Sequence, residues 1–147
     1  MPLINRDAPL WAREEVDIDA PIAVVWDVLT NVKDWPRWNA AVQSAEMTGP
    51  VAPGTEFRWK AGPGTIESRI EVVERPERLG WTGRTLGLSA IHVWTLKLRD
   101  GATHVTTLEF MEGRAARLLR RTIRKNLDTS LETWVRGLKT ESEARSA

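Results

Sequence analysis

The residues most able to do chemistry lie in one stretch, HVWTLKLRDGATHVTTLEFM, residues 92–111. It reads as two strands joined by Asp100-Gly101, the strongest short signal for a two-residue hairpin. With that turn, Arg99 faces Ala102 and the rest of the register follows. Leu98 faces Thr103, Leu96 faces Val105, Trp94 faces Thr107 and His92 faces Glu109. Parity puts these residues on one face. Trp94, Leu96 and Leu98 are apolar, so that face is expected to be the buried one. Leu108 and Phe110 argue for the opposite face of the second strand, and the hairpin partner decides against them. Opposed side chains in such a ladder have Cβ atoms roughly 4.5–5.5 Å apart. A half-buried carboxylate needs a partner, and His92 is the nearest one. Two readings stay open. The pair is a dyad in which Glu109 orients His92 as a base, or it is an internal polar pair that shapes the core. Ser68 and Thr107 are further hydroxyls on the inward face, whereas His104 has the opposite parity and faces out.

Large apolar side chains would surround this pair. The chain holds 8 tryptophans, 2 phenylalanines and no tyrosine, so its aromatic area is concentrated in indoles with one polar N–H each. Phe57 and Trp59 alternate with Glu56, Arg58 and Lys60 on one strand. Ile66, Ser68, Ile70 and Val72 alternate on the next, and Leu79 and Trp81 sit together after it. The stretch KDWPRWNAAV places Trp35 and Trp38 on a short polar connector. Rings there gain nothing unless they cover something apolar. In the C-terminal segment Leu118, Leu119, Thr122, Ile123, Asn126, Leu127, Ser130, Leu131, Trp134 and Leu138 form one helical stripe. Asn126 and Ser130 interrupt it, as a ligand- or water-filled cavity tolerates.

The elements that position these residues follow from periodicity. A strand over Trp11–Ile18 leads to a helix capped by Asp19, with Pro21 in its first turn. A second short helix has Asp34 as cap and Pro36 in its first turn. Strands follow, broken by GPVAPG, GPG and RPE turns and by a TLGLS loop. After Glu112 and Gly113 one long helix runs to a frayed ESEARSA end.

Bulk properties exclude several classes. At 147 residues with 28% charged and 41% hydrophobic residues, the chain reads as one folded domain over 1–147. Net charge is +1, which gives no reason to expect nucleic acid. There is no cysteine, no signal-peptide pattern and no apolar run near the roughly 20 residues that cross a bilayer. These features point to a cytoplasmic protein. Two histidines and no cysteine leave no zinc set, and no phosphate loop, nucleophile elbow or dinucleotide fingerprint is present, so no cofactor is expected. The dense arginines of GRAARLLRRTIRKN make a solvated helix face or a patch for membrane, RNA or an acidic carrier protein.

The stretches DIDAPIAVVWDVLTNVKDWPRWN, ERPERLGWTG and HVWTLKLRDGATHVTTLEFMEG, in this order, resemble the START-like (SRPBCC) helix-grip superfamily, specifically its polyketide cyclase/dehydrase branch. The resemblance covers about Trp11 to Leu138. It implies an α+β fold, a curved antiparallel sheet of about seven strands around a long C-terminal helix, with two short helices after the first strand. It also implies an internal cavity for a small hydrophobic or aromatic ligand, polyketide- or lipid-like, closed at its end by the two short helices with Trp35, Trp38 and Asn39. Ligand contacts are then expected from Trp35, Trp38, Asn39, Phe57, Trp59, Ser68, Trp81, Trp94, Thr107, Ile123, Asn126, Ser130 and Trp134. His92 and Glu109 would be catalytic if the protein is a cyclase or dehydrase. The alternative is a non-catalytic carrier, or an interaction module using the basic helix. The absence of tyrosine and of an interior arginine departs from the aromatase/cyclases. A monomer or homodimer is expected.

Overall fold

The computed structural model describes residues 4, 5 and 7–147. Its element order is β1 (Leu10–Ile18), α1 (Ile22–Thr30), a 3-10 turn (Val32–Asp34), α2 (Trp35–Trp38), β2 (Ser44–Met47), β3 (Glu56–Ala61), β4 (Gly64–Glu74), β5 (Arg78–Thr85), β6 (Leu88–Arg99), β7 (Ala102–Glu112), α3 (Arg114–Leu118) and α4 (Arg120–Ser146). The strands form one antiparallel sheet in the order β1-β7-β6-β5-β4-β3-β2. Only β1 leaves sequence order, because α1 and α2 carry the chain across to the far edge. Helix α4 packs on β1 and on α1, closing the concave side.

The hairpin register holds residue for residue. Asp100 and Gly101 have φ of 51° and 80°, and His92 pairs with Glu109. Positive φ at both turn positions is what a type I′ turn requires, and Asp-Gly supplies it at low cost. Leu98 shares the inner face of β6 but is 72% exposed, because β5 begins at Arg78, opposite Thr95, and leaves this end of β6 without a neighbour on that side.

Several local expectations need correction. TLGLS is not a loop. β5 continues to Thr85 and β6 begins at Leu88, with only Leu86 (φ 40°) and Gly87 (φ 76°) between them. A bulge between Ile70 and Val72 reverses parity, so Val73 pairs with Leu79 and packs on the core, whereas Val72 pairs with Gly80. The residue at the N-cap of α1 is Pro21, without a side-chain cap; the Asp19 backbone N–H instead donates to Glu143. Asp34 stands at the N-cap of α2, but its carboxylate accepts from the Asn31 side-chain amide rather than from a backbone N–H. The C-terminal helix breaks at Leu119 (φ −114°, ψ 37°), where neither Pro nor Gly marks it. Leu118 and Leu119 leave the stripe and are exposed. The end does not fray: α4 reaches Ser146, and Ser142 is fully buried.

Indoles build the core. Trp35 is fully buried and meets Phe57, Trp59 and Trp134 edge-on, at ring-centroid distances of 5.5, 5.5 and 4.8 Å. Its Nε1–H donates to the Leu29 carbonyl at 2.9 Å, so the polar end of the ring is satisfied inside. Edge-to-face contacts of this kind add about 0.5–1.5 kcal/mol each beyond burial. Trp38 rests on α4 at Gly137, where a Cβ would overlap the Trp38 carbonyl oxygen.

Candidate functional site

A cavity of about 310 Å³ lies between the sheet and the first half of α4. Each strand gives it alternate residues, as pleating demands: Trp59 and Ala61 from β3; Gly64, Ile66 and Ser68 from β4; Trp81, Gly83 and Thr85 from β5; Leu88, Ala90 and His92 from β6; Glu109 and Met111 from β7. Helix α4 gives Ile123, Asn126, Leu127 and Ser130, which share one helical face. Pro63 and Leu86 stand at the turns. A larger, open depression of about 460 Å³ lies on the outer face. Exposed Glu67, Arg69 and Arg84 line it.

Small residues make the cavity. Ala61, Gly64, Gly83 and Ala90 occupy inward positions where large side chains would fill the space. A Cβ on Gly83 would come within 3.2 Å of Ile66 Cγ2 and 3.3 Å of Ser68 Oγ.

Of the residues singled out from sequence, His92, Glu109, Trp59, Ser68, Trp81, Ile123, Asn126 and Ser130 come together on the cavity wall. Trp35, Trp38, Asn39, Phe57, Trp94, Thr107 and Trp134 do not line it. Trp35, Phe57, Trp94 and Trp134 belong to the aromatic core behind the wall, filling space that a ligand would otherwise reach. Trp38 packs on α4 at Gly137 rather than on the cavity, and Asn39, buried next to it in sequence, does not reach the cavity either. Thr107 is buried one layer back, against His92. Sequence reasoning missed Thr85, Leu86 and Leu88, which fall in the stretch expected to be a loop, and the small residues. Their signal was available: glycine and alanine recurring on the apolar face of adjacent strands.

The polar groups of the wall have defined partners. Trp59 Nε1–H donates to Ser68 Oγ at 3.0 Å. Thr107 Oγ–H donates to the Val93 carbonyl at 3.1 Å, and the same oxygen lies 2.8 Å from His92 Nε2. A hydroxyl has one proton. With that proton assigned to the Val93 carbonyl, His92 Nε2–H donates to Thr107 Oγ and Nδ1 carries the lone pair. Nδ1 lies 3.6 Å from Glu109 Oε1. Thr107 is thus hydrogen-bonded to one ring nitrogen of His92, and Glu109 faces the other at a longer distance.

The His92 ring is stacked on Trp94 (5.1 Å, 24°), tilted against Trp81 (4.8 Å) and edge-on to Trp134 (5.7 Å). Burial among indoles disfavours the imidazolium and lowers its pKa to about 3. Burial raises that of Glu109 to about 8. At neutral pH the two face each other uncharged, as a carboxylic acid and a neutral imidazole, not as an ion pair. The acid can donate toward Nδ1 or toward a guest in the cavity.

The model of the family described as polyketide cyclase/dehydrase and lipid transport matches residues 12–143. No curated protein matches the chain in sequence. Among solved structures, a hypothetical protein of Helicobacter pylori is similar at TM-score 0.84 and 19% identity, over 95% of this chain and 92% of that one. The Zhui aromatase/cyclase of a Streptomyces species is similar at TM-score 0.81 and 16% identity, over 93% and 95%. A Thermus thermophilus protein is similar at TM-score 0.80 and 20% identity, over 93% and 99%. These identities speak for the fold alone. Taken with the family match across nearly the whole length, the seven-stranded sheet gripping a long C-terminal helix is the START-like helix-grip fold, and the chain belongs to the polyketide cyclase/dehydrase and lipid transport family.

Proposed function

We propose that this protein binds a small, uncharged, apolar and partly aromatic molecule in the cavity between the sheet and α4. The observation that carries the reading is the wall itself: apolar side chains around one acid–imidazole pair, His92 buried and Glu109 half-buried, that is neutral near pH 7. No Lys or Arg lines the cavity among the described residues, so an anionic guest would lack a partner. The volume lies at the lower end of ligand pockets, which run from about 300 to 1,000 Å³, and suits a two- or three-ring molecule with one or two oxygens. Those oxygens would meet Glu109 and the Trp59–Ser68 pair. 2-Acetylnaphthalene is a suitable probe. Saturable quenching of tryptophan emission at one equivalent is the expected result, since Trp59 and Trp81 line the site. Quenching that never saturates, together with a native mass equal to that of the bare polypeptide, would refute the reading.

The neutral pair also favours a catalytic form of the same reading, dehydration of a β-hydroxy ketone of the kind that follows aldol closure. The proton on the carbon beside the carbonyl passes to His92 Nδ1. The C–O bond breaks as the double bond forms, and the departing hydroxyl takes the Glu109 proton and leaves as water. Transfer from His92 to Glu109 across the 3.6 Å gap resets the pair. Glu109, with its pKa near about 8, is the better matched of the two for proton transfer near neutral pH. Glu109→Gln should slow such turnover by about a hundredfold or more while keeping the probe bound. An unchanged rate would discard catalysis by the pair and leave a carrier.

A further inference from the structure

The mouth of the cavity has a surface that the binding reading does not use. The twelve residues from 114 to 125 hold six cations and no acid, in a chain whose net charge is only +1. The remainder is therefore net negative, and the positive charge is concentrated at one place. Within that stretch only Arg124 has an acidic partner among the described residues, Asp128 at 3.7 Å. Arg114, Arg117, Arg120, Arg121 and Lys125 have none.

Apolar side chains are exposed beside these charges. Leu118 is 81% exposed and Leu119 57% exposed, at the break between α3 and α4. Leu86 is 65% exposed at the tip of the β5–β6 turn. The two places adjoin. A Cβ on Gly113, just before α3, would overlap the Gly87 carbonyl oxygen, and one on Gly87 would touch Ala115 at 3.8 Å. Leu119 stands one helical turn before Ile123, whose N–H donates to the Leu119 carbonyl at 3.0 Å. Ile123, Leu86 and Pro63 all line the cavity. Leucines and cations thus lie beside the solvent-exposed part of the cavity wall, Pro63, Leu86 and Asn126. Two adjacent leucines at such exposure are not ordinary surface composition.

We infer that this patch docks on an anionic lipid surface, so that the cavity opens toward the acyl layer. A lipid surface offers both required chemistries at once, phosphates for the arginines and hydrocarbon for the leucines. An acidic protein would satisfy the charges and leave the protruding leucines without a reason.

The test is co-sedimentation of the full chain with phosphatidylcholine vesicles, with and without phosphatidylglycerol. The expected result is binding only to the anionic vesicles, lost at high salt. Leu118→Ser with Leu119→Ser, and separately Arg120→Gln with Arg121→Gln, should each weaken it by about tenfold or more. Lys97→Gln with Arg99→Gln, exposed cations near the β6–β7 turn, should leave it unchanged. All substituted sites are exposed, and thermal melts matching the parent would establish intact folds. Failure to bind anionic vesicles overturns the inference, and so does equal binding to neutral ones. Undiminished binding by the leucine variant overturns it as well, and would indicate recognition by charge alone, as an acidic protein provides.

Discussion

His92 Nδ1 and Glu109 Oε1 lie 3.6 Å apart across the β6–β7 ladder, and neither group is charged at neutral pH. Stability should report this. Glu109 ionises near 4.5 when unfolded and near about 8 when folded. A raised pKa gives stability that is full below 4.5 and falls as pH climbs to about 8. His92 is shifted the other way, from 6.5 to about 3. Its contribution is full above 6.5 and falls as pH drops to about 3. The slopes cancel between 4.5 and 6.5, so stability should be flat there and decline on both sides. Between 6.5 and about 8 the loss is of order 2 kcal/mol, at about 1.36 kcal/mol per pH unit. Glu109→Gln should abolish the alkaline decline, as chemical denaturation at a series of pH values would measure. A parallel decline in both proteins would remove Glu109 as its source.

Ser130 faces the cavity from α4 and is half-buried. Ser130→Leu adds a better helix former whose side chain occupies the cavity. The melting temperature should hold or rise while 2-acetylnaphthalene binding falls by about tenfold or more, an exchange of function for stability. Isothermal calorimetry and a thermal melt on the same sample would measure both. Retained binding would place the guest elsewhere.

Gly137 is a packing position. Alanine is favoured over glycine within a helix by about 1 kcal/mol, so a free helix would gain from Gly137→Ala. Here the added Cβ overlaps the Trp38 carbonyl oxygen. The substitution should instead destabilise by about 1–3 kcal/mol, lowering the melting temperature by several degrees. Calorimetry showing a stabilised variant would mean that α2 does not rest on α4 in this way.

The Trp59–Ser68 hydrogen bond at 3.0 Å lies on the cavity wall. Ser68→Ala leaves a buried indole N–H without its acceptor, at a cost of about 1–3 kcal/mol. A bound ketone oxygen can replace the serine oxygen, so saturating 2-acetylnaphthalene should recover part of that loss in a thermal melt. Equal stabilisation of parent and variant by the probe would show that the ketone does not reach Trp59.

How much of this was legible in the sequence depended on what a pattern encodes. Asp100-Gly101 specifies a turn type, and the turn type fixes the register, so the opposition of His92 and Glu109 followed. Parity says which face a residue is on and nothing about depth. Trp94 and Trp134 face inward as expected, yet they fill the core behind the cavity, whereas Trp59 and Trp81 line it. The cavity lies where Ala61, Gly64, Gly83 and Ala90 share the inner face, a property of four strands together. The Leu86-Gly87 turn was hidden because its first residue is a leucine at positive φ, which no propensity favours. The Ile70/Val72 bulge and the helix break at Leu119 likewise have no glycine or proline to announce them.

The most direct measurement is a pH titration of the Glu109 side-chain carboxyl carbon by ¹³C NMR, free and saturated with 2-acetylnaphthalene. In the free protein the midpoint should lie near about 8. With the probe it should move higher, because the guest displaces water and its ketone accepts a hydrogen bond from the protonated acid. A midpoint near 4.5, or one that the probe leaves unmoved, would contradict an uncharged acid facing a ligand cavity.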